Sequence, residues 1–226
     1  MDGSFRLRAA HWEKVRREKM GLFKKLCNQT RKPEGFLGKL MTGGMNVGHA
    51  KLADWGMASL RGIEASAIVD LGCGGGRNAK ELLKRYPKAK LTALDYSEVS
   101  VEMTKKTNRQ AIRADRCVVV QGDVAALPFE AGSFDMATAF ETIYFWPGLE
   151  KCFAEVHRVL KPGGSFLICN ESDGTDEVTI RYARIIDGMA YYTVQQLKDA
   201  LTAAGFSEIK AEHHPEMPWI TVLARK

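Results

Sequence analysis

Nowhere in this chain does an apolar run approach the roughly 18 residues that a membrane-spanning helix requires, so no span is expected. The opening "MDGSFRLRAAHWEKVRREKM" lacks the apolar core of a secretion signal, and the chain is therefore read as cytoplasmic. Cysteine is scarce and scattered: Cys27, Cys73, Cys117, Cys152 and Cys169 are odd in number and never in a Cys-x-x-Cys spacing. Neither a disulfide framework nor a structural zinc site is expected, and no metal centre is read from the sequence. Internal repeats and low-complexity segments are missing too. What is present, 226 residues with 45% hydrophobic content, suffices for a substantial single core.

Acidic residues are in short supply at one end. Residues 1–40 carry eleven Lys and Arg against four Asp and Glu, an excess of +7, whereas the whole chain carries +6. The basic character thus belongs to the N-terminal segment, and about −1 is left for everything after it. Within it Trp12, Val15, Lys19, Leu22 and Leu26 recur at helical spacing, which suggests an amphipathic helix with a basic outer face. Such a face is either the solvated side of a helical cap or an arm for nucleic acid or a membrane surface. Phe5, Phe23, Phe36 and Trp55 also need a surface to pack on, so residues 1–60 are read as a helical cap and 61–226 as the main domain.

From residue 67 onward short apolar runs alternate with helical stretches. "AIVDLGC", "KLTALDYS", "CVVVQGD", "FDMATAF" and "GSFLICNE" read as strands. "RNAKELLKRY", "SEVSVEMTKKTNRQAIR", "LEKCFAEVHRVL" and "TVQQLKDALTAAG" read as helices, the last closed by Gly205. "FSEIKAEHHP" and "MPWITVLARK" then form a C-terminal antiparallel hairpin across a Pro-marked turn. The pattern implies an α/β fold, a Rossmann-like, mostly parallel seven-stranded sheet with helices on both faces.

The glycines of "AIVDLGCGGGRNAKEL" fall between the first strand and the first helix, where an open α/β sheet binds ligands beyond its strand ends. Two readings compete. Gly74, Gly76 and Ala79 satisfy the dinucleotide fingerprint, with Asp95 roughly 20 residues on as a ribose-binding acid. Asp70, Gly72, Gly74 and Gly76 instead spell D-x-G-x-G-x-G, in which the carboxylate would repel a pyrophosphate but suits an amino-acid ammonium.

With "LTALDYS", "GDVAALPF", "FDMATAFETIYFWPGLEKCFAEVHRVLKPGG" and "IDGMAYYTVQQLKDALTAAGF" following in order, the chain from about Gly48 onward resembles the class I S-adenosylmethionine-dependent methyltransferases. The second half is most similar to the branch that includes the ubiquinone and menaquinone biosynthesis C-methyltransferases. The resemblance implies S-adenosylmethionine as cofactor and a small-molecule methyl acceptor. It assigns Gly72, Cys73, Gly74 and Gly76 to the methionine part, with Asp70 orienting its ammonium directly or through water. Asp95 and Tyr96 fall to the ribose; Gly122, Asp123 and Val124 to the adenine; Phe140 to the same site. A carboxylate suits vicinal hydroxyls because it offers two accepting oxygens and no donor. Helix or turn capping is the rival role for each acid.

Candidate acceptor-side and catalytic residues are His49, where related enzymes place a lid helix, and Glu141 and Tyr144 in "FETIYFWPG", which also holds Phe145 and Trp146. Tyr191 and Tyr192 are further candidates for a substrate wall. His213 and His214, on opposite faces of an expected strand, make poor metal ligands. Two other function classes stay open: a nucleic-acid methyltransferase, of RNA above all, using the basic segment, and an NAD-dependent oxidoreductase or a cofactor-binding protein without catalysis. The first is weakened by the lack of an Asn/Asp-Pro-Pro-aromatic motif or a Pro-Cys nucleophile, the second by Asp70 and the C-terminal hairpin.

Overall fold

A computed structural model describes residues 49–175, 177 and 185–226; the amphipathic segment containing Trp12 to Leu26, with the rest of residues 1–48, lies outside them. The elements in chain order are α1 (Ala50–Gly56), a 3-10 turn (Met57–Leu60), β1 (Ala67–Leu71), α2 (Arg77–Arg85), β2 (Lys90–Asp95), α3 (Glu98–Thr107) and α4 (Arg109–Arg113). Then follow β3 (Cys117–Gln121), β4 (Phe134–Phe140), a 3-10 turn (Ile143–Phe145), α5 (Leu149–Val159), β5 (Leu160–Asn170), α6 (Val194–Ala203), β6 (Ser207–His213) and β7 (Ile220–Arg225).

The seven strands form one sheet in the order β3-β2-β1-β4-β5-β7-β6. Strands β1 to β5 pair in parallel, and β7 runs antiparallel to both β5 and β6, so the expected parallel sheet with its C-terminal hairpin is what forms. Successive side chains of β1 serve opposite layers, as strand geometry demands. Val69 and Leu71 join Phe153, Val156, Phe166, Leu197 and Leu201 under α5 and α6, while Ile68 joins Leu52, Met57, Leu82, Leu91, Met136 and Leu167 under α1 and α2. Strand order reverses between β1 and β4, which opens a crevice beyond their carboxyl ends.

Two local departures from the sequence pattern have physical causes. The single helix expected over 97–113 is interrupted at Asn108, whose side chain donates to Gly76 O and Thr104 O instead of facing solvent. Strand β5 begins at Leu160, before the expected "GSFLICNE", because Leu160 already pairs with Phe134; the ladder then shifts register between Phe134 and Met136.

α1 is seated on β5. Leu52, Ala53, Met57 and Leu60 are buried there, and the Cys169 thiol points at Leu52 O, 3.7 Å away. Gly56 makes the fit possible: a Cβ on it would lie 2.4 Å from Cys169 Sγ and 3.0 Å from Cys169 Cβ. Cys169 is fully buried and has little room to yield. Because this docking carries His49 to the crevice, Gly56→Ala should lower stability by about 1–3 kcal/mol, the usual cost of overpacking. Thermal unfolding checks it, and an unchanged midpoint would show that α1 is loosely held.

Candidate functional site

The loop from Gly72 to Gly76 joins β1 to α2 and is fastened from both sides. Gly72 N–H and Cys73 N–H donate to Leu94 O at 2.8 and 3.0 Å. On the other side three successive carbonyls are held by one face of α3. Thr104 Oγ1 donates to Gly74 O (2.9 Å), Thr107 Oγ1 to Gly75 O (2.8 Å) and Asn108 Nδ2 to Gly76 O (2.9 Å). Residues at i, i+3 and i+4 share a helix face, which is why this triplet can grip a continuous stretch of chain. The glycines serve different ends. A Cβ on Gly72 would fall 2.1 Å from Thr142 Oγ1, whereas at Gly74, with φ +53°, a Cβ would meet nothing within 4 Å. Gly74 is thus the point where the bare backbone faces open space.

That space is a cavity of about 320 Å³ lined by His49, Gly72, Cys73, Gly74, Asp95, Tyr96, Gly122, Asp123, Val124, Phe140 and Glu141 among the residues singled out in the sequence. Its size lies in the range of small-molecule sites. Phe145 and Trp146 line it as well. Asp70, Gly76 and Tyr144 do not: they stand behind its wall. Gly76 is packed against Thr104 and Asn108. Arg77, Asn78, Ser100, Thr142 and Pro147 also line the cavity and were not singled out. Arg77 and Asn78 directly follow the glycines, so loop geometry alone points to them.

Burial governs the acids. Asp70 is 2% exposed; its Oδ1 accepts from Thr138 Oγ1 at 2.9 Å, and its buried Oδ2 has no partner among the described residues. Desolvation raises its pKa to about 7, against the hydrogen bond from Thr138 and helped by the charge of Asp95. Asp95 accepts from Gly74 N–H and Ser97 N–H, both at 2.9 Å, and burial lifts its pKa as well. The N-cap of α3 is Ser97, whose hydroxyl accepts from Ser100 N–H, so capping by side chain is not left to Asp95. Asp123 is exposed and accepts from Ala125 N–H at 2.9 Å, a turn-closing bond beside the cavity.

Glu141, which also lines the cavity, follows β4 in a left-handed conformation, φ +56°. Its Oε1 accepts from Tyr144 Oη at 3.0 Å and from the Glu171 amide. Burial, reinforced by the neighbouring Glu171 charge, pushes the Glu141 carboxyl well above the usual range. Burial and Glu141 likewise raise Tyr144, whose ring packs on Tyr191 with centroids 4.8 Å apart. Tyr144 therefore positions Glu141. His49, at the N-terminus of α1, lies 4.0 Å from Glu141 Oε2 and 3.7 Å from Glu171 Oε2. Trp146 donates to Thr142 Oγ1 and stacks over Phe166, and Tyr192 packs against the core. His213 ends β6, while His214, just past it, packs its ring on Trp55 and Trp219.

These features fit an adenosyl-amino-acid ligand: a bare-backbone turn at Gly74, a carboxylate at Asp95 facing the cavity, and the orphaned oxygen of Asp70 beneath the loop. Asp70, expected to act on the ammonium directly or through water, does not line the cavity and is buried beneath the loop. The sheet order is the one that the resemblance to the class I S-adenosylmethionine-dependent methyltransferases implies. Residues 69–168 match the family model described as a methyltransferase domain. Malonyl-[acyl-carrier protein] O-methyltransferase of Geobacter sulfurreducens is 28% identical over 173 residues, covering 70% of this chain and 64% of that protein. The methyltransferase solved with the Trm112 activator of Haloferax volcanii superposes with a TM-score of 0.70 at 20% identity, covering 82% of this chain and 93% of that one. Phosphoethanolamine N-methyltransferase 2 of Haemonchus contortus, solved with S-adenosyl-L-methionine, gives 0.66 at 17% identity, covering 76% and 52%. The chain spans less than two thirds of the length of the first curated relatives it matches.

The Asp70 environment carries a pH signature. Its folded pKa of about 7 stands above the ordinary value near 3.8, so the stability it contributes as a neutral acid is complete below about pH 4 and lost as pH rises through 7. Asp70→Asn should therefore raise the unfolding midpoint at pH 8, by the equivalent of about 2–4 kcal/mol, with the advantage fading toward pH 4. Equal midpoints for both proteins at pH 8 would contradict the assignment.

Proposed function

We propose that this protein is an S-adenosylmethionine-dependent methyltransferase acting on a small-molecule acceptor in the cytoplasm. The observation that carries the reading is the cavity beyond β1, β2 and β4, lined by Gly74 and Asp95 together with Glu141, Phe145 and Trp146. When bound, the cofactor supplies a methyl group already activated on a sulfonium for in-line displacement. The residues of the chain then have to bind, orient and exclude water, and orientation alone contributes much of such a rate.

In this reading Gly72, Cys73 and Gly74 lie along the amino-acid part. Asp95 and Tyr96 take the ribose, the Asp95 carboxylate being held at the cavity wall by the Gly74 and Ser97 amides. Gly122, Asp123 and Val124 flank the adenine. Phe140, Phe145 and Trp146 supply an apolar wall toward the acceptor, and His49 and Glu141 its polar end. Glu141 can hold a proton at its carboxyl because burial favours the neutral form, and the His49 imidazole, 4.0 Å from it, is the group placed to accept a proton from the acceptor. Among the described residues no helix is long and apolar enough to cross a membrane, and Cys73, Cys117, Cys152 and Cys169 are free thiols, which suits a reducing compartment.

Two measurements test this. Titration calorimetry should show binding of S-adenosylmethionine and S-adenosylhomocysteine and none of NAD; binding of NAD alone would sink the reading. A panel of amines, thiols, phenols and carboxylates with labelled methyl donor should then name the accepting atom. Asp95→Asn should weaken S-adenosylhomocysteine binding by about 1.5–3 kcal/mol, the scale of a hydrogen bond to a charged group, with the fold intact by circular dichroism. Full affinity in a folded Asp95→Asn protein would reduce Asp95 to a loop support.

A further inference from the structure

His49, Glu141 and Glu171 come from three separate segments: the start of α1, the turn after β4 and the end of β5. One ligand atom from each lies within 4.8 Å of the other two. The two imidazole nitrogens each face a carboxylate, Nδ1 at 4.0 Å from Glu141 Oε2 and Nε2 at 3.7 Å from Glu171 Oε2. Both distances exceed a hydrogen bond, so the three groups converge without satisfying one another. Glu141 is the fixed member. Its Oε1 is occupied by the Tyr144 hydroxyl and the Glu171 amide, which leaves Oε2 turned toward His49. Such outer bonds are what orient carboxylates that ligate metals.

We propose that these three residues form a binding site for a divalent first-row transition ion, of the Mn²⁺ or Zn²⁺ kind, at the acceptor end of the cavity. Two carboxylates and one neutral imidazole balance a dication. Two acids brought together with one side chain only 8% exposed otherwise repel each other across a poorly screened gap. One nitrogen and two oxygens suit Mn²⁺, Fe²⁺ or Zn²⁺, whereas Mg²⁺ prefers to keep its waters and no thiolate is offered for softer ions. Ligands sharing one ion at about 2.1 Å stand roughly 3 Å apart; since one imidazole nitrogen serves, three ligand atoms now within 4.8 Å of one another must close by up to roughly 2 Å. His49 and Glu171, 33% and 44% exposed, have the freedom to do so. His49 and Glu141 both line the cavity, so the remaining coordination positions open toward an acceptor, where an oxygen or nitrogen ligand would complete the shell. No local spacing in the sequence unites these residues; the sheet does.

The test uses the full chain stripped with EDTA and titrated with MnCl₂, free Mn²⁺ being read by its paramagnetic resonance signal and Zn²⁺ by competition. Saturable uptake of about one ion per chain is expected, with a rise in unfolding midpoint. Glu171→Gln and His49→Ala, both at partly exposed positions and checked for folding by circular dichroism, should each weaken uptake about tenfold or more. No saturable uptake of either ion, or uptake that survives either substitution, would overturn the proposal. Because the readout is metal uptake, the outcome is separate from that of the methyltransferase reading.

Discussion

One face of α3 holds the carbonyls of Gly74, Gly75 and Gly76 through Thr104, Thr107 and Asn108, and the site is built outward from that clamp. A run of glycines is the most entropically costly stretch to order, and left alone it would sample many conformations. Three hydrogen bonds from one rigid helix, with two more to Leu94 O, leave it a single path. That path turns the bare side of Gly74 to the cavity and sets Gly76 at the start of α2. It also fixes the Gly74 amide on Asp95, so loop and ribose-side carboxylate are positioned together.

The same end of the sheet collects carboxylates that the fold does not neutralise. Asp70, Asp95 and Glu141 follow or end parallel strands, are nearly removed from water, and are pushed toward their protonated forms by that burial. Buried acceptors without full partners cost stability, and natural proteins keep few of them. Here they stand along one cavity or just behind it. A site prepared for a polar, partly cationic ligand has this character, because acids with perturbed titration gather where a ligand's charge is to be met. The acceptor end follows the same logic through Glu141, held in a left-handed backbone conformation while Tyr144 fixes one of its oxygens.

Much of this was legible in the sequence because it depended on local pattern. Strand runs and helix periodicity announced the parallel sheet and its C-terminal hairpin, and acids at strand ends announced Asp95 and Asp123. The Asn108 break was hidden, since a helical pattern does not reveal that a polar side chain turns inward to hold a distant loop. Depth was hidden too: Asp70 reads like Asp95, yet its pairing with Thr138 across the sheet takes it below the cavity wall. Tyr144, a candidate from its place in "FETIYFWPG", is buried behind the cavity wall, where its ring packs on Tyr191 and its hydroxyl donates to Glu141; the sequence does not show that depth. Glu171 went unnoticed although it too follows a parallel strand; only the neighbouring register of β4 and β5 brings it to Glu141.

Hydrogen–deuterium exchange with and without S-adenosylhomocysteine tests most directly whether the clamped loop is the cofactor site. The account predicts added protection at residues 72–78, 95–97 and 122–124, the segments that line the cavity, with little change at the clamping residues 104–108, whose bonds are already formed. A second, basic groove runs along Lys80, Lys84, Lys106, Arg109 and Arg116. Protection confined to that groove, with the glycine loop exchanging as before, would contradict the account.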